Sequence, residues 1–323
     1  MSGGVPDLTV RVPIPDLRAW LAGSELPGVT SFQAQAPGPH VALCALMHGN
    51  EIAGAIVLDR LLRQGLRPRR GRLSFIFGNI LAYGRFDPMD PTASRFVEED
   101  LNRVWDLETL EGPRRSAELR RARELRPFLD TVDLLLDLHS MLWPSEPLIL
   151  AGATAKGREL ARAIGVPPLV VTDSGHAAGK RLLDYGRFGR AEDPAAAVLV
   201  EGGPHWAAET IATLTAATAR FLRLSGVVEE ALLPPDPVLT LPRFASVTRT
   251  ITAASDSFAF LGPVRGGDVV PRRNTLIALD GEEEIRTPHD DCLLVMPSPR
   301  VTAGQTAVRL ARLEPPQAVQ GTA

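Results

Sequence analysis

Met47-His48-Gly49-Asn50-Glu51 sets an imidazole and a carboxylate three positions apart. On one helical turn such a pair points the same way. Two donors of that kind converging on one point can hold a divalent metal, and nitrogen with carboxylate oxygen suits zinc. The same spacing also reads as a capped helix start, with Glu51 favoured by the helix dipole. A second imidazole, His139, follows the apolar run Val132–Leu138. His48, Glu51 and His139 then make two nitrogens and a carboxylate, which leaves one position of a zinc ion for water or substrate. Zinc brings the pKa of that water towards about 7 and polarises a carbonyl. Asp137, two before His139, shares its strand face and reads either as a partner that orients an imidazole or as a satisfied acid.

Amide hydrolysis also needs a group that takes a proton from water and returns it to the leaving nitrogen. Glu201, in Val200-Glu-Gly-Gly, stands at a strand exit with small neighbours that let a substrate approach. The plain alternative is an exposed acid in a glycine turn. Arg95, Asn102 and Arg103 fall in one Pro- and Asp-rich stretch. Guanidinium forks bind carboxylates in two-point fashion and stabilise a developing oxyanion, unless these arginines simply pair with Glu98, Glu99 and Asp100.

The elements that must position these groups alternate. Val41–Leu46 reads as a buried strand, and apolar residues at helical spacing from Ile52 to Leu62 as the helix after it. Strands are expected at 73–77, 132–138, 148–151, 169–172 and 196–200, and helices at 113–129, 156–164 and 207–224. Such alternation implies a mixed, mainly parallel α/β sheet with helices on both faces, whose ligands bind outside the carboxyl ends of the strands. His48 and Glu51, Asn79, His139 and Glu201 all fall at such ends. Residues 1–40 are a preamble with an edge strand expected at 8–12 and a helical turn between Pro15 and Gly23. The loop 173–181 offers His176, Lys180 and Arg181 as cradle for an anionic or polar group, or is a solvated loop. His205 reads mainly as structural. Leu233-Pro-Pro-Asp-Pro237 reads as a linker. Beyond it, alternating runs and the hairpin signal Asp280-Gly281 suggest a small all-β domain at 238–313, and 314–323 a loose tail. The catalytic part is then 1–232.

The chain has 323 residues, 45% hydrophobic and 23% charged, with a net charge of −3. That suits a globular protein and argues against a nucleic-acid partner. Cys44 and Cys292 are isolated, which fits neither a disulfide framework nor a zinc ribbon. Met1–Pro13 lacks the pattern of a secretion signal. No apolar run approaches the length that spans a membrane, and the expected compartment is the cytoplasm.

The ordered set His48-Gly-Asn-Glu51, Asn79 with Ala82, Arg95 with Asp100-Leu-Asn-Arg103, Asp137-Leu-His139 and Glu201-Gly-Gly-Pro204 resembles the succinylglutamate desuccinylase/aspartoacylase family, a branch of the zinc carboxypeptidase-like hydrolases. The resemblance covers about 41–225 closely and the C-terminal part more loosely. It implies one zinc per chain on His48, Glu51 and His139, and Glu201 as general base and then acid. It also implies Arg95 at the oxyanion and Asn102 with Arg103 on a substrate carboxylate. The family further uses an arginine shortly before the glutamate, here Arg187 or Arg190, and a tyrosine in the C-terminal domain. No tyrosine follows Tyr185, so the zinc chemistry carries over and the family's named substrates do not. In the family the second domain narrows the entrance; Thr287, His289 and Asp290 are the candidates for that wall. The expected activity is zinc-dependent cleavage of a small N-acyl amino acid or related carboxylate. Trimming of peptide C-termini and silent zinc-dependent binding are the alternatives, and homo-oligomerisation stays open.

Overall fold

A computed structural model describes residues 6–176 and 178–315. Its elements in chain order are α1 (Arg18–Leu21), β1 (Val29–Gln33), β2 (His40–Ala45), α2 (Ile52–Arg63), β3 (Arg72–Phe77), α3 (Ile80–Tyr83), α4 (Leu107–Glu111), α5 (Ala117–Leu129), β4 (Leu134–Met141), β5 (Leu148–Leu150), α6 (Ala155–Ile164), β6 (Leu169–Thr172), α7 (Gly186–Gly189), β7 (Ala196–Pro204) and α8 (Ala208–Ser225). The C-terminal strands are β8 (Arg243–Thr252), β9 (Phe258–Phe260), β10 (Val269–Val270), β11 (Leu276–Asp280), β12 (Glu283–Arg286), β13 (Cys292–Val295) and β14 (Thr306–Leu313).

Every residue of β2 is buried, because helices cover both faces of the sheet. Alternation then sorts its side chains. Val41, Leu43 and Ala45 enter a core shared with α2, α6 and α8. Ala42 and Cys44 enter a second core, made with Leu119, Ala122, Leu125 and Phe128 of α5. The main sheet has the order β1-β3-β2-β4-β7-β5-β6-β8-β14-β13-β10. β3, β2, β4 and β7 are parallel neighbours, β5 runs antiparallel to β7, and β6 and β8 run parallel to β5. The sheet is therefore mixed and mainly parallel around β2, β4 and β7, with helices on both faces.

β8 pairs with β6 from Leu169↔Arg243 to Thr172↔Ser246, so the C-terminal strands extend the same sheet. They have their own core of Ile251, Phe258, Ile277, Leu294, Val308 and Leu310 and a second, three-stranded sheet, β12-β11-β9. The expected hairpin is there: β11 and β12 join through Gly281 and Glu282, with Gly281 at φ +62°. Residues 234–242 have no regular structure, and we propose 233–237 as the junction between two parts ending near 232 and beginning near 238.

Some local expectations change. Residues 8–12 form no strand; one bond, Arg11 N to Trp206 O, holds them. The preamble instead supplies β1, which pairs antiparallel with β3. The charged helix begins at Ala117 because the Ser116 hydroxyl caps it, accepting from Leu119 N at 2.9 Å. Glu314 is tied down by a two-point pair with Arg158; the rest of the expected tail, 316–323, lies outside the described residues, as do Met1–Val5.

Candidate metal centre and active site

After β2 the chain turns through Leu46, at φ +60°, and reaches His48. Gly49 sits where a Cβ would lie 2.4 Å from the Ala82 carbonyl carbon and 2.5 Å from the Ser94 oxygen. Only glycine tolerates that approach, and it lets Gly49 N donate to Arg95 O at 3.0 Å. The turn holding His48 is thereby tied to the loop holding Arg95.

Glu51 precedes the first residue of α2, but its side chain caps no backbone N–H of that helix. Its carboxylate turns inward instead. Oε1 lies 2.7 Å from His48 Nδ1 and 3.2 Å from Arg95 Nη1. Oε2 lies 2.9 Å from His139 Nδ1 and accepts from Ser140 N at 3.1 Å. The capped-helix alternative thus gives way to a convergent cluster, in which one ligand atom each of His48, Glu51 and His139 lies within 4.8 Å of the others. All three residues are buried. Each ring turns Nδ1 to the centre and Nε2 to an outer acid. Asp100 Oδ1 lies 2.9 Å from His48 Nε2. Asp137 Oδ2 lies 3.0 Å from His139 Nε2, an ionic contact whose angle falls short of a hydrogen bond. Acids at this place fix the orientation of metal-binding imidazoles. The donor set, its convergence and its outer acids fit a zinc ion.

The charges agree with one another. Burial alone would raise Glu51 and Asp100, but His48 and His139 hold Glu51, and His48, Arg103 and Arg95 hold Asp100, well below the usual carboxylate range. Burial would lower His139, yet Asp137 and Glu51 raise it well above an ordinary imidazole.

His139 and Glu201 are register partners on β4 and β7; both strands run on to Met141 and Pro204, so these residues lie within strand ends rather than just after them. Glu201 Oε2 is buried without a hydrogen-bond partner among the described residues. Burial chiefly pushes its carboxyl up to about 8, with Glu51 adding to the rise and His139 and Arg95 opposing it. The glycines beside it do not serve to admit substrate: a Cβ on Gly202 would strike Leu214 of α8 at 2.6 Å. They let α8 pack onto β7.

His48, Glu51, His139, Glu201, Arg95, Asn102 and Arg103 line one cavity of about 520 Å³, a size suited to a small molecule. Asn102 Oδ1 accepts from Leu182 N at 2.8 Å, and its amide N–H groups have no acceptor among the described residues. Arg103 Nη1 donates to Asn102 O at 2.7 Å. His176 and Arg181 also line the cavity. His176 Nε2 is 3.0 Å from Thr306 Oγ1, and burial, then Arg103, Arg309 and Arg181, push it down to about 3.

Other expected residues lie elsewhere. Asn79 is not in the cavity wall: its Oδ1 caps α3 through Ala82 N and its Nδ2 donates to Glu118. Glu118 in turn accepts from the backbone at 97, 98 and 99, so Asn79 supports the arginine loop from behind. Lys180 is exposed and outside the cavity. Arg187 is paired with Asp193 and Asp133, Arg190 is exposed, and neither lines the cavity. Thr287, His289 and Asp290 are occupied within the C-terminal strands: His289 Nε2 with Thr248, Asp290 with Arg273 N, Thr287 with Thr275 N. The wall that 238–313 does supply consists of residues 296–309, including Ser298, Arg300, Gln305, Thr306 and Arg309. Sequence reading missed these, although an arginine inside the alternating run Thr306–Leu310 was a signal. It also set His205 aside, which lines the cavity with its Nδ1 2.7 Å from Ser140 Oγ.

Fold and site define an α/β protein with a buried, metal-competent His-Glu-His cluster at the carboxyl ends of a mainly parallel sheet. The succinylglutamate desuccinylase/aspartoacylase catalytic domain matches residues 37–224, more than half of the chain, and the chain belongs to that family of hydrolases. It is 35% identical over 131 residues to the succinylglutamate desuccinylase of Pseudomonas aeruginosa (strain LESB58), a stretch covering 38% of this chain and 37% of that protein. It is 30% identical over 121 residues to the aspartoacylase of Mus musculus, covering 35% and 37%. The match thus spans little more than a third of either relative. The solved succinylglutamate desuccinylase of Vibrio cholerae shares the fold at a TM-score of 0.69 with 19% identity, over 89% of this chain and 86% of that one.

Proposed function

We propose that this protein hydrolyses the amide bond of a small N-acyl amino acid or related carboxylate with one zinc ion per chain. The observation that carries the reading is the buried convergence of His48, Glu51 and His139 beside an unpartnered Glu201 carboxylate, in one arginine-lined cavity. Those three residues would hold the metal. When bound, zinc supplies an acidified water and an electrophilic partner for the acyl carbonyl. Glu201 takes the proton from the attacking water and returns it to the leaving nitrogen. Among the described residues its carboxylate has no competing donor at Oε2. Arg95, held beside Glu51 and Asp100, donates to the oxyanion as charge develops. Arg103 and the free amide of Asn102 bind the carboxylate of the substrate.

The cavity favours a small substrate over a peptide, because residues 296–309 wall one side of a space of about 520 Å³. Among the described residues no helix is long and apolar enough to cross a membrane. The reading is tested by turnover of zinc-loaded protein on a panel of N-acyl amino acids and short peptides. Release of free amino acid from the acyl amides is expected. Turnover of peptides alone would make it a carboxypeptidase, and saturable binding without turnover of any member would make it a binding protein.

A further inference from the structure

β14 brings Arg309 into the cavity wall, where the residue is 6% exposed. Its guanidinium has five N–H donors. Among the described residues none of them makes a hydrogen bond, and Nε is buried without a partner. The nearby acid is Asp173, 3.7 Å from Nε, and it is engaged elsewhere. Arg181 donates to both Asp173 oxygens, at 2.9 and 2.6 Å, and to both Asp184 oxygens, at 2.8 and 3.1 Å. This cluster balances charge around Arg309 but leaves its donors unused.

A buried donor without a partner is costly and uncommon, which describes Nε; the Nη groups of this cavity-lining residue also have no acceptor among the described residues and are free to take one from outside the chain. The neighbours agree. Burial, then Arg181 and Arg103 against the pull of Asp173, bring Arg309 down to about 10. Burial first, and then the same three arginines, push the His176 imidazole down. Arg95 and Arg103 differ from Arg309 in having acceptors already: Glu51 and Asp100 for the first, Asn102 O for the second.

We infer that Arg309 is a specificity-determining residue, whose guanidinium, backed by the Asp173–Arg181–Asp184 cluster, binds a carboxylate on the part of the substrate that lies against the C-terminal strands. This rests on the amide-hydrolase reading for its kinetics but not for its binding. Arg309 acts on substrate choice; its charge also reaches Glu201, an influence shared by all substrates, so the role is read from the ratio between substrates.

The test uses succinate as probe, titrated calorimetrically into zinc-loaded wild type, Arg309→Met and Arg309→Lys, together with kinetics on N-acetylaspartate and N-acetylalanine, which differ by one carboxylate. Arg309→Met should lose at least about tenfold in succinate affinity, the scale of a charged hydrogen bond. Its KM for N-acetylaspartate should rise by a similar factor, with far less change for N-acetylalanine. Its melting temperature should stay or rise, because the unpartnered buried Nε donor has been removed. Unchanged succinate affinity in Arg309→Met overturns the inference, as does a fall in melting temperature with affinity intact. Should Arg309→Met fail to fold, Arg309→Lys decides. It loses the planar fork, so weaker succinate binding at native melting temperature supports the role and native affinity removes it. Absence of turnover on both amides by wild type would count against the hydrolase reading alone, since the succinate titration reads Arg309 without turnover.

Discussion

Around Glu51, the carboxylate oxygens, all four imidazole nitrogens of His48 and His139 and the Arg95 guanidinium have hydrogen-bond or close ionic partners within the protein, at 2.7–3.3 Å. Along the other wall, from Ser298 to Arg309, the side chains are sparsely engaged: Arg300 is exposed and Arg309 makes no hydrogen bond among the described residues. The first wall comes from the ends of β2, β4 and β7 and is cross-tied before any substrate arrives. The second comes from β14 and the segment before it, and has donors to give. Groups whose rotamers are locked by neighbours suit chemistry, where misplacement is expensive. Groups with unused donors suit selection, where the partner arrives from outside. Under the proposed function, one cavity divides reaction from recognition between two parts of the chain.

The largest effect should come from breaking the tied wall at its centre. His139→Ala removes one imidazole and leaves Glu51 and Asp137 facing each other across the gap. Bound zinc, measured by elemental analysis, should fall far below one per chain and turnover should fall to background. Full zinc occupancy in a His48→Ala, His139→Ala double variant would remove the metal assignment.

A smaller effect separates metal from proton transfer. Glu201→Gln keeps size and loses the base. Zinc content should stay native while kcat drops by at least about 100-fold, the scale of general acid–base catalysis. A near-native kcat would pass the proton role to another residue, with His205 the next group in the same wall.

The smallest effect sharpens the boundary of the recognition wall. His289 and Asp290 are occupied inside the C-terminal strands and lie outside the cavity. Changing both to alanine should leave the ranking of substrates by kcat/KM unchanged and lower the melting temperature by a few degrees at most. A changed ranking would extend the recognition wall beyond 296–309.

Much of the first wall was legible without coordinates. Apolar runs of strand length, each followed within a few residues by a chemically competent side chain, located His48, Glu51, His139 and Glu201. A parallel sheet must bury both its faces, so such runs stand out. Asn79 shows the limit of that logic: it occupies a strand exit like the others, but its side chain turns back to Glu118 and α3. Gly202 shows another, since its small size serves the packing of α8 and not substrate entry.

Spacing and residue type by themselves determined the alternating α/β order, the two imidazoles with their carboxylate, and the glutamate beside them, because these are local signals set by side-chain periodicity. Tertiary structure alone decided that Glu51 turns inward rather than capping α2, that Asp100 rather than a surface partner meets His48, and that β8 joins β6 to bring residues 296–309 over the site. Those outcomes depend on pairings between residues far apart in the chain, and no local pattern encodes a partner at such separation. Arg309 is the clearest case. In sequence it is one charged position in an alternating strand. Only the pairing of β14 with β8, and of β8 with β6, carries it to the cavity that the first half of the chain begins.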